Sequence, residues 1–303
     1  MEKNKIVIAS GKGGVGKSML ASTLAMLFAK KKQIVAVDCD IDAPNLHLWL
    51  GENEQWDKVE KISTNEIPVI DRKKCNLCGR CINICAFKAL SVDYPSQDQD
   101  KFDLEKRVII NHFFCEGCGA CEAVCSQKAI TMKRIKNAEV KIKNNVWGFP
   151  LVSAQLYPGQ TGSGKIVEEV KKRAESFDYQ IMILDAPAGI GCPVIAAVQG
   201  SEFALLVTEP TPSGFSDLKR VLKVVDHFKI PYGVVINKWN INKDLSRKIE
   251  KEFKNNLLGK ISYDKRIFKA ISSLKPILKT NLLVKKEIGN IFKIISKKES
   301  INS

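Results

Sequence analysis

Acidic residues are scarce in this chain. Its 303 residues hold 33 Asp and Glu against 48 Lys and Arg, a formal charge of +15 at pH 7. Such an imbalance points toward an acidic partner: nucleic acid, an anionic membrane surface or an acidic protein. The first of these lacks its usual marks. There is no basic segment interleaved with aromatics and no helix-turn-helix pattern, and the lysines are spread along a chain also rich in Ile and Asn. No nucleic-acid partner is therefore expected. Long apolar runs are missing too: nothing approaches the ~20 residues needed to span a bilayer. The opening "MEKNKIVIAS" lacks the small-residue cleavage site of a secretory signal. A cytoplasmic protein is the expectation, and in that compartment ten cysteines read as metal or cluster ligands, not disulfides. Apolar residues are not in short supply. At 45% of the chain they exclude a disordered polymer and allow one large domain or two smaller ones.

Residues 5–10, "KIVIAS", form an unbroken apolar run, the pattern of a strand buried on both faces. A glycine loop follows. Helical periodicity then runs over 18–32 with a Lys-rich end suited to a helix C-terminus, and a second buried strand covers 33–40. Strand, loop, helix and strand in that order imply a parallel sheet with helices on its faces. Residues 52–67 are polar and read as a linker. From 68 to 134 the chain repeats itself: 69–93 and 108–133 align cysteine for cysteine at an offset of 40. Each half reads strand, cysteine loop, short helix, strand. A hairpin is expected over 139–156. Buried strands return at 179–189, 203–210 and 232–239, separated by helical patterns at 163–175, 193–200 and 214–228. The expected architecture is an α/β domain, residues 1–67 and 135–303, with a mostly parallel sheet flanked by helices. A small α+β domain over 68–134 interrupts it.

Gly11-x4-Gly16-Lys17-Ser18 satisfies the phosphate-loop pattern G-x-x-x-x-G-K-[ST], with the required strand before it and helix after it. Gly11, Gly13, Gly14 and Gly16 let the backbone curl. The N–H groups from Gly11 through Val15 to Met19 then face phosphate oxygens at a helix N-terminus. Lys17 is placed on the β/γ-phosphates and Ser18 on Mg2+. A glycine turn without a ligand is the bland alternative, and the flanking strand and helix weigh against it.

Eight of the ten cysteines stand in two C-x2-C-x2-C-x3-C runs. Thiolates at this spacing wrap three corners of an iron–sulfur cubane, and the fourth cysteine of each run reaches the other cluster. Cys75, Cys78, Cys81 and Cys125 are thus assigned to one 4Fe–4S cluster, and Cys85, Cys115, Cys118 and Cys121 to a second. Gly79 and Gly119 suit the tight loops. Each cluster with its thiolates carries a charge of roughly −2, which offsets part of the basic excess. Zinc and a degenerate, empty fold are the alternatives, although zinc ligands usually come as separated pairs. The paired, duplicated arrangement resembles bacterial two-cluster ferredoxins. It departs from them in having Ala86 and Ser126 where proline usually follows the fourth cysteine. Proline is not a ligand, so the departure bears on local rigidity and potential.

Lys12, directly after the first glycine, is not needed to cradle phosphate. With it, "KGGVGKS" resembles the deviant Walker A motif of the MinD/ParA/Mrp superfamily, P-loop ATPases of the SIMIBI class. "VDCDIDAPNLHL" (37–48) resembles their switch I, "LDAPAGIG" (184–191) their switch II, and "VINKW" (235–239) the strand end whose Asn reads adenine. Over nearly its full length the chain resembles MinD-like ATPases that contain an inserted ferredoxin domain. The resemblance implies ATP and Mg2+ as ligands and slow, partner-stimulated hydrolysis by a homodimer with two ATPs at its interface. It implies that Lys12 reaches the partner's phosphates and that Asp40 positions the attacking water. Asp185 would hold Mg2+ through water, with Ser18 and Asp40 beside it, and Asn237 would contact adenine. Asp38 and Asp42 either join this set or only support the switch loop. The implied function is an ATP-driven redox or conformational switch that couples hydrolysis to electron transfer or redox sensing with an unidentified redox or client protein. Two alternatives are a positioning or scaffold ATPase with structural clusters and a cluster carrier of the Mrp type. The carrier reading lacks its C-terminal C-x-x-C, because no cysteine follows Cys192.

Four features stay outside this scheme. Cys39 lies in the switch I strand. Cys192 lies seven residues after Asp185, an offset at which the nitrogenase iron protein carries a cluster ligand. A second such cysteine is not evident, so a buried structural thiol is expected and a redox role is the alternative. "PGQTGSGK" (158–165) is not a second phosphate loop, since Ile166 follows Lys165, and it reads as a loop and helix cap. Val284, Ile288, Ile291, Phe292 and Ile295 share one helical face among lysines. A last helix covering the sheet is expected there, with a basic amphipathic membrane contact as the alternative.

Overall fold

The computed structural model describes residues 3–93 and 106–299. The chain begins β1 (Asn4–Ser10), α1 (Lys17–Phe28), β2 (Ile34–Asp38) and a short α2 (Leu46–Trp49), then β3 (Lys58–Ile62) and β4 (Asn65–Ile70). The cysteine segment adds α3 (Arg80–Ile84), β5 (Leu90–Asp93), β6 (Arg107–Ile110), α4 (Ala120–Ala123) and β7 (Ile130–Ile135). After it come β8 (Ala138–Asn144), β9 (Pro150–Leu156), α5 (Ser163–Glu175), β10 (Ile181–Ala188) and α6 (Cys192–Val198). The last part holds β11 (Phe203–Thr208), α7 (Pro212–His227), β12 (Tyr232–Asn237), α8 (Lys243–Glu252), β13 (Leu257–Ile261), α9 (Arg266–Ser272) and α10 (Leu283–Glu299).

The chain divides into two compact units: Met1–Glu60 with Val140–Gln155 and Ile166–Ser303, and Lys61–Glu139 with Leu156–Lys165. A nine-stranded sheet runs in the order β13-β12-β11-β1-β10-β2-β9-β8-β3. From β13 to β9 every neighbouring pair is parallel. That is why these strands read as continuous apolar runs: both faces are covered. Alternation still sorts the side chains. Ile6 and Ile8 of β1 join Leu20 and Leu24 of α1, Ile34 of β2 and Ile183 of β10 in one apolar cluster. Helices α6 and α7 pack against β1, β10 and β11. The chain leaves β1 through α1 for β2 on one side, and leaves β10 through α6 for β11 on the other side of β1, so a crevice opens at the carboxyl end of β1, the place where open α/β sheets bind ligands.

Helix α10 belongs to this core. Val284, Ile288, Ile291 and Ile295 are buried, and Phe292 meets Phe28 of α1 edge-on at 4.8 Å between ring centroids. The apolar stripe is therefore occupied by the protein itself. Ile288→Ala is expected to destabilise the fold by about 2–5 kcal/mol in denaturant unfolding. An unchanged unfolding midpoint would return this face to the membrane. No described helix is long and apolar enough to cross a bilayer.

Two expectations from the sequence need correction. Residues 52–67 are not a linker, since β3 and the start of β4 lie there. β3 is polar and mostly exposed, so its strand character comes from pairing at the sheet edge and not from an apolar pattern. The first helix ends at Phe28, and Lys31 and Lys32 donate their backbone N–H groups to the Phe28 carbonyl in the turn that returns the chain to β2.

In the second unit β4 pairs antiparallel with β7, and β5 with β6. The first strand of each half thus pairs with the last strand of the other, and the duplication is interlocked. The repeat extends to the backbone. Gly79 and Gly119 have φ of 73° and 76°, Leu77 and Gly117 57° and 63°, Lys88 and Lys128 52° and 49°. The hydrogen bond from Asp71 N to Ala129 O recurs as Asn111 N to Ala89 O, both 2.7 Å. The unit is wider than 68–134, because Asn65, Asn137 and Thr161 join its flanks. The buried Asn65 amide donates to Thr161 Oγ1 (2.8 Å), and the Asn137 amide to the Thr161 carbonyl (3.0 Å).

Candidate nucleotide cleft and cysteine cavities

The crevice at the end of β1 is a cleft of about 1450 Å³, open mouth included. Gly13, Gly14, Gly16, Lys17, Ser18 and Met19 line its floor, with Asp40 and Asn237 beside them. Gly16 needs its φ of 95°, and a Cβ there would lie 2.3 Å from Asn237 Nδ2. Gly11 has another reason to be glycine: a Cβ would meet the Asp217 carbonyl oxygen of α7 at 2.2 Å. Asn237 Nδ2 donates to the Val15 carbonyl (2.7 Å), tying the strand end to the phosphate loop. Sequence reasoning missed the opposite wall. Trp49 of α2 and the segment Ser262–Phe268 with Ile271 complete the cleft, with Tyr263 and Phe268 largely exposed. No periodicity marks this wall, and only the position of β13 at the sheet edge brings it there.

Lys12 does not line the cleft. Its ammonium donates to Glu209 Oε1 (2.9 Å) and Ser213 Oγ (3.2 Å). Lys238 donates to Glu209 Oε2 and to the Gly14 carbonyl, both at 2.9 Å. Burial alone would push the Glu209 carboxyl up, but the two lysines outweigh it and hold it below the usual carboxylate range. Lys12 thus stands on a carboxylate of its own chain.

Lys17 is 7% exposed, and burial lowers its pKa against the pull of Asp185, Asp40 and Asp38. Asp38 accepts hydrogen bonds from Leu46 N (2.9 Å) and Asp40 N (3.1 Å), so it braces the loop after β2. Asp42 is exposed. Asp185 is buried beside Ser18, and its Oδ1 has no hydrogen-bond partner among the described residues. An orphaned buried carboxylate oxygen beside a phosphate-loop serine suits the hard oxygen chemistry of Mg2+. Burial raises the Asp185 pKa to about 7, and Asp38, also raised by burial, sits in the same field. The folded protein therefore holds this proton more tightly than the unfolded chain, and stability falls as pH rises from near 4 through about 7. Asp185→Asn is expected to raise the melting temperature of the nucleotide-free protein above pH 7, by roughly 2–4 °C per kcal/mol recovered. The gain should fade toward pH 4, and a gain of equal size at both ends would refute the assignment.

The eight repeated cysteines surround two cavities. One, of about 380 Å³, is lined by Cys75, Cys78, Cys81 and Cys125. The other, of about 350 Å³, is lined by Cys85, Cys115, Cys118 and Cys121. Each cavity takes three thiols from one run and the fourth from the other. Backbone N–H groups point at the crossing sulfurs, from Ala89 to Cys85 and from Ala129 to Cys125, both at 3.3 Å. Burial raises the thiols of Cys81, Cys115 and Cys121. Among the described residues no three His, Cys, Asp or Glu side chains are grouped to hold a single metal ion. Four soft donors around an enclosed space suit a polynuclear iron–sulfur core. The second cavity is braced from outside: Thr161 Oγ1 donates to the Cys115 carbonyl (2.8 Å), and a Cβ on Gly117 would lie 2.3 Å from Asn65 Oδ1. "PGQTGSGK" is thus a structural loop of the cysteine unit.

Cys39 is fully buried and its thiol is pushed strongly up by that burial. Cys192 corrects an expectation. It is exposed, at the first position of α6.

Residues 6–277 match the family described as CobQ/CobB/MinD/ParA nucleotide binding domain. An uncharacterized protein of Methanocaldococcus jannaschii, MJ0578, is 38% identical over 238 residues, 78% of this chain and 79% of that one. The iron–sulfur cluster carrier protein of Pyrococcus horikoshii is 23% identical over 240 residues, 77% of this chain and 61% of that one. Among solved structures, the septum site-determining protein MinD of Pyrococcus horikoshii, complexed with Mg-ADP, aligns over 99% of both chains with a TM-score of 0.59 at 18% identity. At that identity the likeness speaks to the fold.

Proposed function

The chain belongs to the CobQ/CobB/MinD/ParA nucleotide-binding family, and we propose that it is a dimeric, ATP-hydrolysing iron–sulfur protein in which hydrolysis and redox state are coupled. One observation carries this reading: a chain with a phosphate-loop cleft also folds eight thiols into two crossed sets of four. Lys17 neutralises the β/γ-phosphates, Ser18 and Asp185 hold Mg2+, and Asp40 orients the attacking water. Tyr263 and Phe268 offer the apolar edge a base requires. Lys12 leaves Glu209 and Ser213 to meet the phosphates of a second copy, where developing charge needs a cation. Cys75, Cys78, Cys81 and Cys125 hold one 4Fe–4S cluster, and Cys85, Cys115, Cys118 and Cys121 the other. Bound there, the clusters supply one-electron storage. The inserted unit accordingly acts as a two-cluster ferredoxin module that serves a redox or client protein.

Chain continuity through α5, with contacts at each of its ends, supports coupling through switch II. Asp185 lies in β10, and α6 follows it. Lys171 of α5 donates to the carbonyls at the end of α6, Ala196 (2.7 Å) and Ala197 (3.4 Å). Helix α5 continues from the loop whose Thr161 holds the Cys115 carbonyl. Purified holo-protein is expected to hydrolyse ATP at different rates with its clusters reduced, oxidised and removed. Equal rates in all three states, with and without partner, would end the coupling proposal. Thr161→Val should bring the ratio of reduced to oxidised rates toward one. It should also cost about 1–3 kcal/mol of stability, because the buried Asn65 amide loses its acceptor. An unchanged ratio would exclude this route.

A further inference from the structure

Glu209 holds two lysines at once. Its Oε1 accepts from Lys12 Nζ and its Oε2 from Lys238 Nζ, each at 2.9 Å. The three side chains come from distant points of the chain: the phosphate loop, the position after β11 and the position after β12. Their exposure differs. The Glu209 side chain is 9% exposed and that of Lys12 39%. Lys12 can therefore swing out, but the carboxylate cannot follow it. A buried carboxylate stripped of its cation is strongly unfavourable, so whatever remains at Glu209 decides how readily Lys12 leaves. Thr211 Oγ1, at 3.5 Å from Oε1, is too distant and uncharged to replace an ammonium. Lys238 already has both the position and the charge.

Lys238 is also fixed from a second side. Its Nζ donates to the Gly14 carbonyl (2.9 Å), and the neighbouring Asn237 Nδ2 donates to the Val15 carbonyl (2.7 Å). The Lys238 backbone N–H donates to Asn237 Oδ1 (2.9 Å), and its φ of 55° is left-handed, a conformation that disfavours residues with a Cβ. One ammonium thus spans the phosphate loop and Glu209. Lys12, by contrast, holds Glu209 and the Ser213 hydroxyl on the other side.

We propose that Lys238 is a positioning residue for hydrolysis: it stays on Glu209 as the counter-ion that lets Lys12 leave for the phosphates of a second copy. This role rests on the dimeric reading above, in which Lys12 crosses. The exchange moves no proton and breaks no covalent bond. Lys12 trades a carboxylate for phosphate oxygens, and Glu209 goes from two cations to one. Without Lys238, Glu209 would go from one cation to none, and Lys12 would be held back.

The test uses the full-length chain, prepared anaerobically. Dimerisation is driven by Mg2+ with a non-hydrolysable ATP analogue, and its dissociation constant is read by sedimentation velocity. Lys238→Met is expected to weaken dimerisation about tenfold or more, since the buried carboxylate then depends on Lys12 alone. Lys238→Gln keeps a donor for Gly14 without the charge. It should weaken dimerisation as well, and it serves if Lys238→Met disturbs folding. The decisive variant joins Lys238→Met to Glu209→Gln. A neutral side chain needs no counter-ion, so the second change should bring dimerisation back to within about threefold of wild type, a non-additive pair. A hold on the Gly14 carbonyl alone would not be rescued in this way. Glu209→Gln by itself should dimerise at least as tightly as wild type. Wild-type dimerisation of Lys238→Met, a double variant as weak as Lys238→Met, or a weakened Glu209→Gln protein would each overturn the role of Lys238 and leave the dimeric reading standing. Lys12→Ala judges that reading separately. If it dimerises as tightly as wild type, or if wild type does not dimerise, Lys12 does not cross and both fail together.

Discussion

Lys17→Ala is expected to lower the rate of ATP hydrolysis by about 10²–10³-fold, the scale of losing one preorganised charge from a transition-state site. Lys17 is nearly buried and faces Asp185, Asp40 and Asp38. It is the cation that makes this acidic corner habitable for phosphate. Without it, the incoming nucleotide would meet three carboxylates and no compensating charge. Affinity should fall as well, because the interaction operates in both the bound and the transition state. Phosphate release at saturating Mg-ATP and equilibrium dialysis of ATP separate the two effects. A rate within a few-fold of wild type would show that hydrolysis occurs elsewhere or that the cleft binds another ligand.

The second large effect concerns the crossed cysteines. Cys85→Ser is expected to lower bound iron from about eight to about four atoms per chain, one 4Fe–4S cluster lost. The diagnostic is which second substitution adds to it. Cys85 lies in the first run but lines the cavity of Cys115, Cys118 and Cys121. Cys85→Ser with Cys115→Ser should therefore lose no more iron than either change alone. Cys85→Ser with Cys75→Ser should lose nearly all of it. Two changes at one shared site are non-additive, and changes at separate sites add. The reverse pattern would mean that each run closes on its own cluster. Zinc in place of iron and sulfide, read by elemental analysis of anaerobic protein, would replace the cluster reading altogether.

The parts of this molecule that could be read from sequence are those specified over short distances. The strand β1, the phosphate loop and α1 form one local unit, because apolar runs, glycine freedom and helix polarity act within a few residues. The two cysteine runs are visible through a spacing that repeats at an offset of 40. Even the crossing of Cys85 and Cys125 follows from that spacing. Tertiary structure decided what depends on partners far apart in the chain. Lys12 and Glu209, which meet at 2.9 Å, are 197 positions apart. β3 is a strand only because the sheet edge pairs it, and the exposure of Cys192 depends on where α6 lies in the fold. Whether the α10 stripe faced a membrane or the sheet was settled by the apolar surface of α1 waiting beneath it.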